Sequence, residues 1–137
     1  MDQRTLVVSC VEYYSDLKNI PSNKVFISFR QSGFIDLILD SHKTFPEMDI
    51  DFFVGMIDGM TYLESDATEA DKEYSHHEKR AETGMEVVAM LQKKHKLDDL
   101  AACEMYYQSQ TAGLVSEDKT GWYLKPAQEI FAQIEAE

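Results

Sequence analysis

Apolar side chains in this chain recur every three to four residues, and an α-helix is the structure that turns such spacing into one continuous face. Leu6, Cys10, Tyr13, Tyr14 and Leu17 form the first stripe, which predicts a helix over 2–18, closed by Asn19 and Pro21. Ser22 is placed to cap a second helix over 22–32, with Val25, Phe26 and Phe29 inward and Gly33 as its stop. A strand over 24–29 competes for this segment, because Val25, Ile27 and Phe29 alternate with Phe26 and Ser28. The Pro-Ser start and the Gly stop favour the helix. Phe34–Leu39 continues as a short helix, and 40–47 reads as a loop around Pro46. Asp49 is a cap for a fourth helix reaching about Leu63, with Ile50, Phe53, Val54 and Ile57 inward.

Residues 64–83 are polar and highly charged. Thr68 and Asp71 have capping-box spacing, so this stretch reads as the exposed start of a long helix reaching about His95. Met85, Val88, Met90 and Leu91 are its apolar part, and Gly84 marks a kink or break. Asp98 caps a further helix bearing Ala102, Cys103, Tyr106 and Tyr107, and Gly113 ends that region. Lys119–Tyr123 is a turn leading into a short extended segment, and Pro126 stands at the first turn of a last helix.

Residues 7–35 and 84–115 resemble each other. At an offset of 77, Val11 meets Val88, Tyr14 meets Leu91, Val25 meets Ala102, Phe26 meets Cys103 and Phe29 meets Tyr106. After three extra residues, Gly33-Phe34-Ile35 meets Gly113-Leu114-Val115. An offset of 80 also aligns apolar positions, so two registers stay open. The expected fold is all-α, a compact multi-helix bundle in which two helix-turn-helix-like repeats can pack together. It divides into an N-terminal helical unit (1–64), a charged helical connector (65–83) and a C-terminal helical unit (84–137) sharing the same core. A chain of 137 residues can bury such a core without disulfides or metals.

Charge narrows the function classes. The chain has 25 acidic and 13 basic residues, a net −12. Residues 1–60 and 84–137 each carry nine acids against five bases, and 61–83 seven against three, so each segment is at −4. A uniformly negative surface repels nucleic-acid phosphates and anionic membranes and steers toward a basic partner. The apolar run Leu6–Val11 is too short for a signal peptide and is followed by Glu12, and no segment approaches the length of a membrane span. A cytoplasmic location is expected.

Chemistry-bearing motifs are sparse. Cys10 and Cys103 sit far apart among apolar residues and read as reduced core thiols. Glu73 and His76 have the Glu-x-x-His spacing of carboxylate-bridged metal sites, but a second pair is missing, and His76 and His77 read as part of a solvated charged face. The six glycines are scattered and make no phosphate loop. No catalytic set, cofactor site or metal site emerges, so a non-enzymatic role is expected. Trp122 and Tyr123 follow a turn beside a polar loop, where they serve either as core caps or as binding anchors.

Glu12-Tyr13-Tyr14, the Lys18–Ser22 turn, Lys24-Val25-Phe26, Phe29, Gly33, Ile35, Asp36, Ser41-His42-Lys43 and Ile50–Asp58 together resemble a small bacterial family of helical domains of unknown function. Its members are often encoded beside an ADP-ribosyltransferase-like toxin and look like its antitoxin. Leu97–Tyr123 resembles a related segment of similar small proteins, while 64–83 has no counterpart there. The family carries a Leu-His-Thr-type motif, of which this chain keeps only His42. The resemblance implies an antitoxin-like neutraliser that masks a toxin with a basic surface, without direct nucleic-acid or membrane binding. His42, Trp122 and Tyr123 are its candidate partner-binding residues, and self-association stays open. The alternative is an acidic phage-type inhibitor that mimics nucleic acid and blocks a nucleic-acid-binding protein.

Overall fold

The computed structural model describes residues 1–60 and 76–137. Among them the chain is all-α, a multi-helix bundle of eight helices with no strand. The helices are α1 (Gln3–Lys18), α2 (Ser22–Ser32), α3 (Phe34–Thr44), α4 (Ile50–Asp58), α5 (His77–His95), α6 (Asp99–Gln108), α7 (Gln110–Ser116) and α8 (Ala127–Glu135). Two 3-10 turns, Asp118–Thr120 and Trp122–Leu124, join α7 to α8. No helix among the described residues is long and apolar enough to cross a membrane.

Of the expected caps, Asp49 and Asp98 form, while Ser22 lies inside its helix after Pro21 and makes no side-chain cap; Asp2 adds a cap that was not expected. Asp2, Asp49 and Asp98 accept from the amides of Thr5 (2.7 Å), Phe52 (3.2 Å) and Ala101 (2.8 Å), starting α1, α4 and α6. Residues 24–29 are helical, and Val25, Phe26 and Phe29 are buried as the 3.6-residue period requires. Gly33 stops α2 with a φ of 77°, a conformation glycine adopts without strain.

Several boundaries differ from expectation. α3 runs through Ser41, His42 and Lys43 to Thr44 instead of giving way to a loop at 40, because nothing before Pro46 breaks it. α4 ends at Asp58, short of the expected Leu63, and residues 61–63 lie outside the described residues. The Thr68–Asp71 capping box and Glu73 lie outside them too. The end of the expected charged connector is the first part of α5, where Arg80, Ala81 and Thr83 are buried. Gly113 lies inside α7, and the break that it was expected to make falls at Ser109, whose Oγ accepts from Ala112 N–H at 3.0 Å. Residues 119–123 curl into the 3-10 turns about Gly121 rather than extending.

Gly84 does not kink α5; it lets α5 approach α1 and α6. A Cβ there would stand 3.3 Å from Val8 Cγ1 and 3.5 Å from the Tyr106 ring. Gly84→Ala gains about 1 kcal/mol of helix propensity. It also crowds a fully buried Val8, an overpacking that costs about 1–3 kcal/mol. The expected outcome is a net loss near 1 kcal/mol in urea unfolding, and a stabilised variant would show that the α1–α5 contact has slack.

The α1–α2 and α5–α6 hairpins share their turn. Asn19 and Lys96, 77 positions apart, have positive φ of 56° and 55°. The amides of Ile20 and Leu97 then bond back to the carbonyls of Ser15 (3.1 Å) and Gln92 (3.2 Å), again 77 apart. The five apolar pairs named at that offset are all buried. The match ends at the third helix, since Gly33 separates α2 from α3 while Gly113 lies within α7. α1 packs most extensively on α5 and also meets α2, α3, α4 and α6, so residues of both halves form one apolar cluster.

Side chains also finish the helix ends near the termini. Glu137 accepts from the amides of Gln110 (2.9 Å) and Thr111 (3.0 Å) and from Thr111 Oγ1 (2.6 Å). Burial raises the Glu137 carboxyl, but these donors outweigh it and the net shift is downward. The Thr5 amide likewise holds Asp2 below its ordinary value. A depressed carboxylate stabilises the fold above its unfolded value and loses that contribution as pH falls through the folded one. On acid titration the Thr5 and Thr111 amides should therefore gain exchange before those at the centre of α5. Simultaneous loss everywhere would contradict this.

Candidate functional site

The first turns of α5 carry the densest polar arrangement among the described residues. The Arg80 side chain, 0% exposed, donates from Nε to Glu12 Oε1 (2.9 Å) and from Nη1 to Asp118 Oδ1 (2.9 Å). Tyr107 donates its hydroxyl to Glu12 Oε2 at 2.7 Å. Burial first, and then the Glu12 carboxylate, push the Tyr107 phenol far above its ordinary range, so it remains a donor. His76 Nδ1 lies 2.7 Å from Asp118 Oδ2, and its ring stacks on Tyr123 with centroids 4.7 Å apart. His77 pairs with Asp16 and sets its ring edge-on to Tyr13 at 4.9 Å.

His76 is exposed, as are Glu78 and Lys79, so the reading of a solvated charged face holds there, while His77 is half-buried. Both histidines hold carboxylates of other elements, and Arg80 behind them joins α1 and α5 to the turn after α7. Chemically the arrangement is a clamp. Both Glu12 oxygens have donors, and the guanidinium bridges two carboxylates, which satisfies charges that would be costly to bury alone. A sequence signal existed: Arg80, Gly84, Val87, Val88 and Leu91 continue one helical stripe toward the N-terminus of α5. Its charged first member disguised it.

The expected partner-binding residues fall in two places. His42 is half-buried on α3, its ring 5.9 Å from Phe53 of α4. Trp122 is half-buried in the second 3-10 turn, with Lys125 Nζ 4.9 Å from its ring centroid. Tyr123 is 9% exposed and stacks on His76, so its ring caps the core, and Leu124, 65% exposed, is the apolar group of that turn that faces solvent. Beside His42 lies a patch that the sequence reading missed by placing a loop there. Phe45 (46% exposed) and Met48 (43%) precede half-buried Phe52, and the Phe45 and Phe52 rings stand 5.6 Å apart. Asp40, Glu47, Asp49 and Asp51, all exposed, share residues 40–52 with one Lys or Arg, Lys43.

The two cysteines are buried as read. Burial pushes both thiols up to about 12, and the Asp99 carboxylate adds to this at Cys103. Since the thiolate is the reactive form, native protein should resist a thiol reagent at neutral pH, with modification appearing at the rate of unfolding. Fast labelling of either cysteine in folded protein would contradict this. Among the described residues no three His, Cys, Asp or Glu side chains gather as a metal site would need.

Comparison with known proteins finds no matching family model, no matching curated protein and no matching solved structure.

Proposed function

We propose that this chain acts by binding another protein, through the apolar patch of Phe45, Met48 and Phe52 beside His42. The observation that carries the reading is the patch itself: Phe45 and Met48 are exposed beside half-buried Phe52, while every other aromatic among the described residues is buried or half-buried. The net charge of −12 raises the encounter rate with a basic surface. An antitoxin-type neutraliser is the specific form of this reading that the resemblance of residues 12–58 supports, with Trp122 as a second contact. Co-expression with the product of the adjacent gene tests it. A stable complex on a sizing column and restored growth are expected, and neither appearing would refute the neutraliser.

Within such a complex, Phe45→Ser with Met48→Ser should weaken binding by about tenfold or more, since truncating a buried anchor typically costs at least ~1 kcal/mol. Both positions are exposed, so unfolding free energy should change by no more than about 0.5 kcal/mol. A nucleic-acid mimic predicts otherwise: binding to a nuclease would survive these substitutions and fall steeply with salt.

A further inference from the structure

We infer that the groove between α1 and the first turns of α4 and α5 docks a basic amphipathic segment of a partner protein, apolar side chains inward and Lys or Arg on the rim. The inference rests on the protein-binding reading and names the partner's chemistry. The groove has a volume of about 390 Å³. Ile50, Ala81, Met85 and the Tyr13 ring make its apolar lining. Asp49, Asp51 and Glu78 stand around it, and no Lys or Arg lines it.

Each carboxylate also has a structural use. Asp49 caps α4, Asp51 accepts a hydrogen bond from Tyr13, and Glu78 lies in the first turn of α5, where negative charge is favoured. Capping and a neutral hydroxyl leave the charge uncompensated, and none of the three forms an ion pair among the described residues. Three anions over an apolar floor therefore favour a cation carried on an aliphatic stem, which buries its methylenes and keeps its charged head at the rim. The tyrosine face adds a cation–π surface.

In the chain, Asp49 and Ile50 of the groove follow Met48 directly, and Asp51 precedes Phe52, so groove and patch residues alternate along the start of α4. Over residues 40–52 and the groove lining, the exposed acids are Asp40, Glu47, Asp49, Asp51 and Glu78, against Lys43. An acidic or neutral segment would leave these carboxylates to be desolvated without a partner. A helix with leucines at i, i+3, i+4 and i+7 and lysines elsewhere matches both features.

That helix, made as a peptide, is the probe, with the full chain labelled at its methionine methyls. Binding in the micromolar to millimolar range should shift Met48 and Met85. A scrambled peptide of the same composition, or one with glutamate for lysine, should bind at least about tenfold more weakly. Asp51→Asn with Glu78→Gln should weaken binding by about tenfold, and the equally neutralising pair Asp36→Asn with Glu86→Gln by less than about twofold. Equal binding of the scrambled peptide, equal losses in both double variants, or unmoved Met85 would overturn the inference. Its failure is separable from that of the neutraliser. A complex with the adjacent gene's product that survives Asp51→Asn with Glu78→Gln removes the groove alone, and peptide binding without such a complex removes the neutraliser alone.

Discussion

Arg80→Ala is expected to destabilise the fold by about 3–5 kcal/mol, the cost of leaving a buried charge without its counter-ion. Two carboxylates are affected, since Glu12 is buried on α1 and Asp118 lies in the turn after α7. Tyr107 would keep its bond to Glu12, but one neutral donor does not replace a guanidinium. Urea unfolding measures the loss directly. Should the variant fail to fold, Arg80→Lys, which keeps the charge but cannot span both carboxylates with a planar fork, gives an intermediate loss. The clamp also predicts strong coupling. Glu12→Gln should cost markedly less in the Arg80→Lys background than in the natural chain, because the pair acts as a unit. Additive losses would mean that Glu12 and Arg80 do not depend on each other.

Phe29→Ala should cost a comparable amount, about 3–5 kcal/mol, by the loss of a buried ring and the cavity left behind. Phe29 is fully buried on α2, edge-on to Tyr14 at 5.1 Å and to Phe34 at 5.9 Å. It therefore ties α1, α2 and α3 together. Ile27, two residues earlier, is exposed, so Ile27→Ser should change stability by no more than about 0.5 kcal/mol. The contrast tests the helical phase of this segment, because in a strand both side chains would share a face. Equal losses at 27 and 29 would contradict the helix.

The helical phase was legible because it is local. Val25, Phe26 and Phe29, or Val88 and Leu91, declare their buried face through spacing alone, and aspartates 49 and 98 mark starts through a bond three residues away. Ends were less legible. α3 continues through His42 because helix-compatible polar residues carry no stop, and Gly113 sits inside α7 because a glycine is permitted, not obliged, to end a helix.

The polar interior was barely legible: a helical stripe reaches Arg80, but nothing local names its partners. Glu12 lies between Val8 and Val11 on one side and Tyr14 and Ser15 on the other, and its place in the core makes sense once Arg80, 68 positions away, is seen to meet it. Local patterning assigns a charged residue to the surface, since burial is unfavourable without a partner and the partner is chosen by packing. The same holds for the groove, whose walls come from α1, α4 and α5. By itself, then, the sequence determined the helical class, most helix starts, the anionic exterior and the inward stripes. Which charges are paired inside, which aromatics remain outside and where acids converge over an apolar floor were decided by tertiary structure, because each depends on side chains that only helix packing brings together.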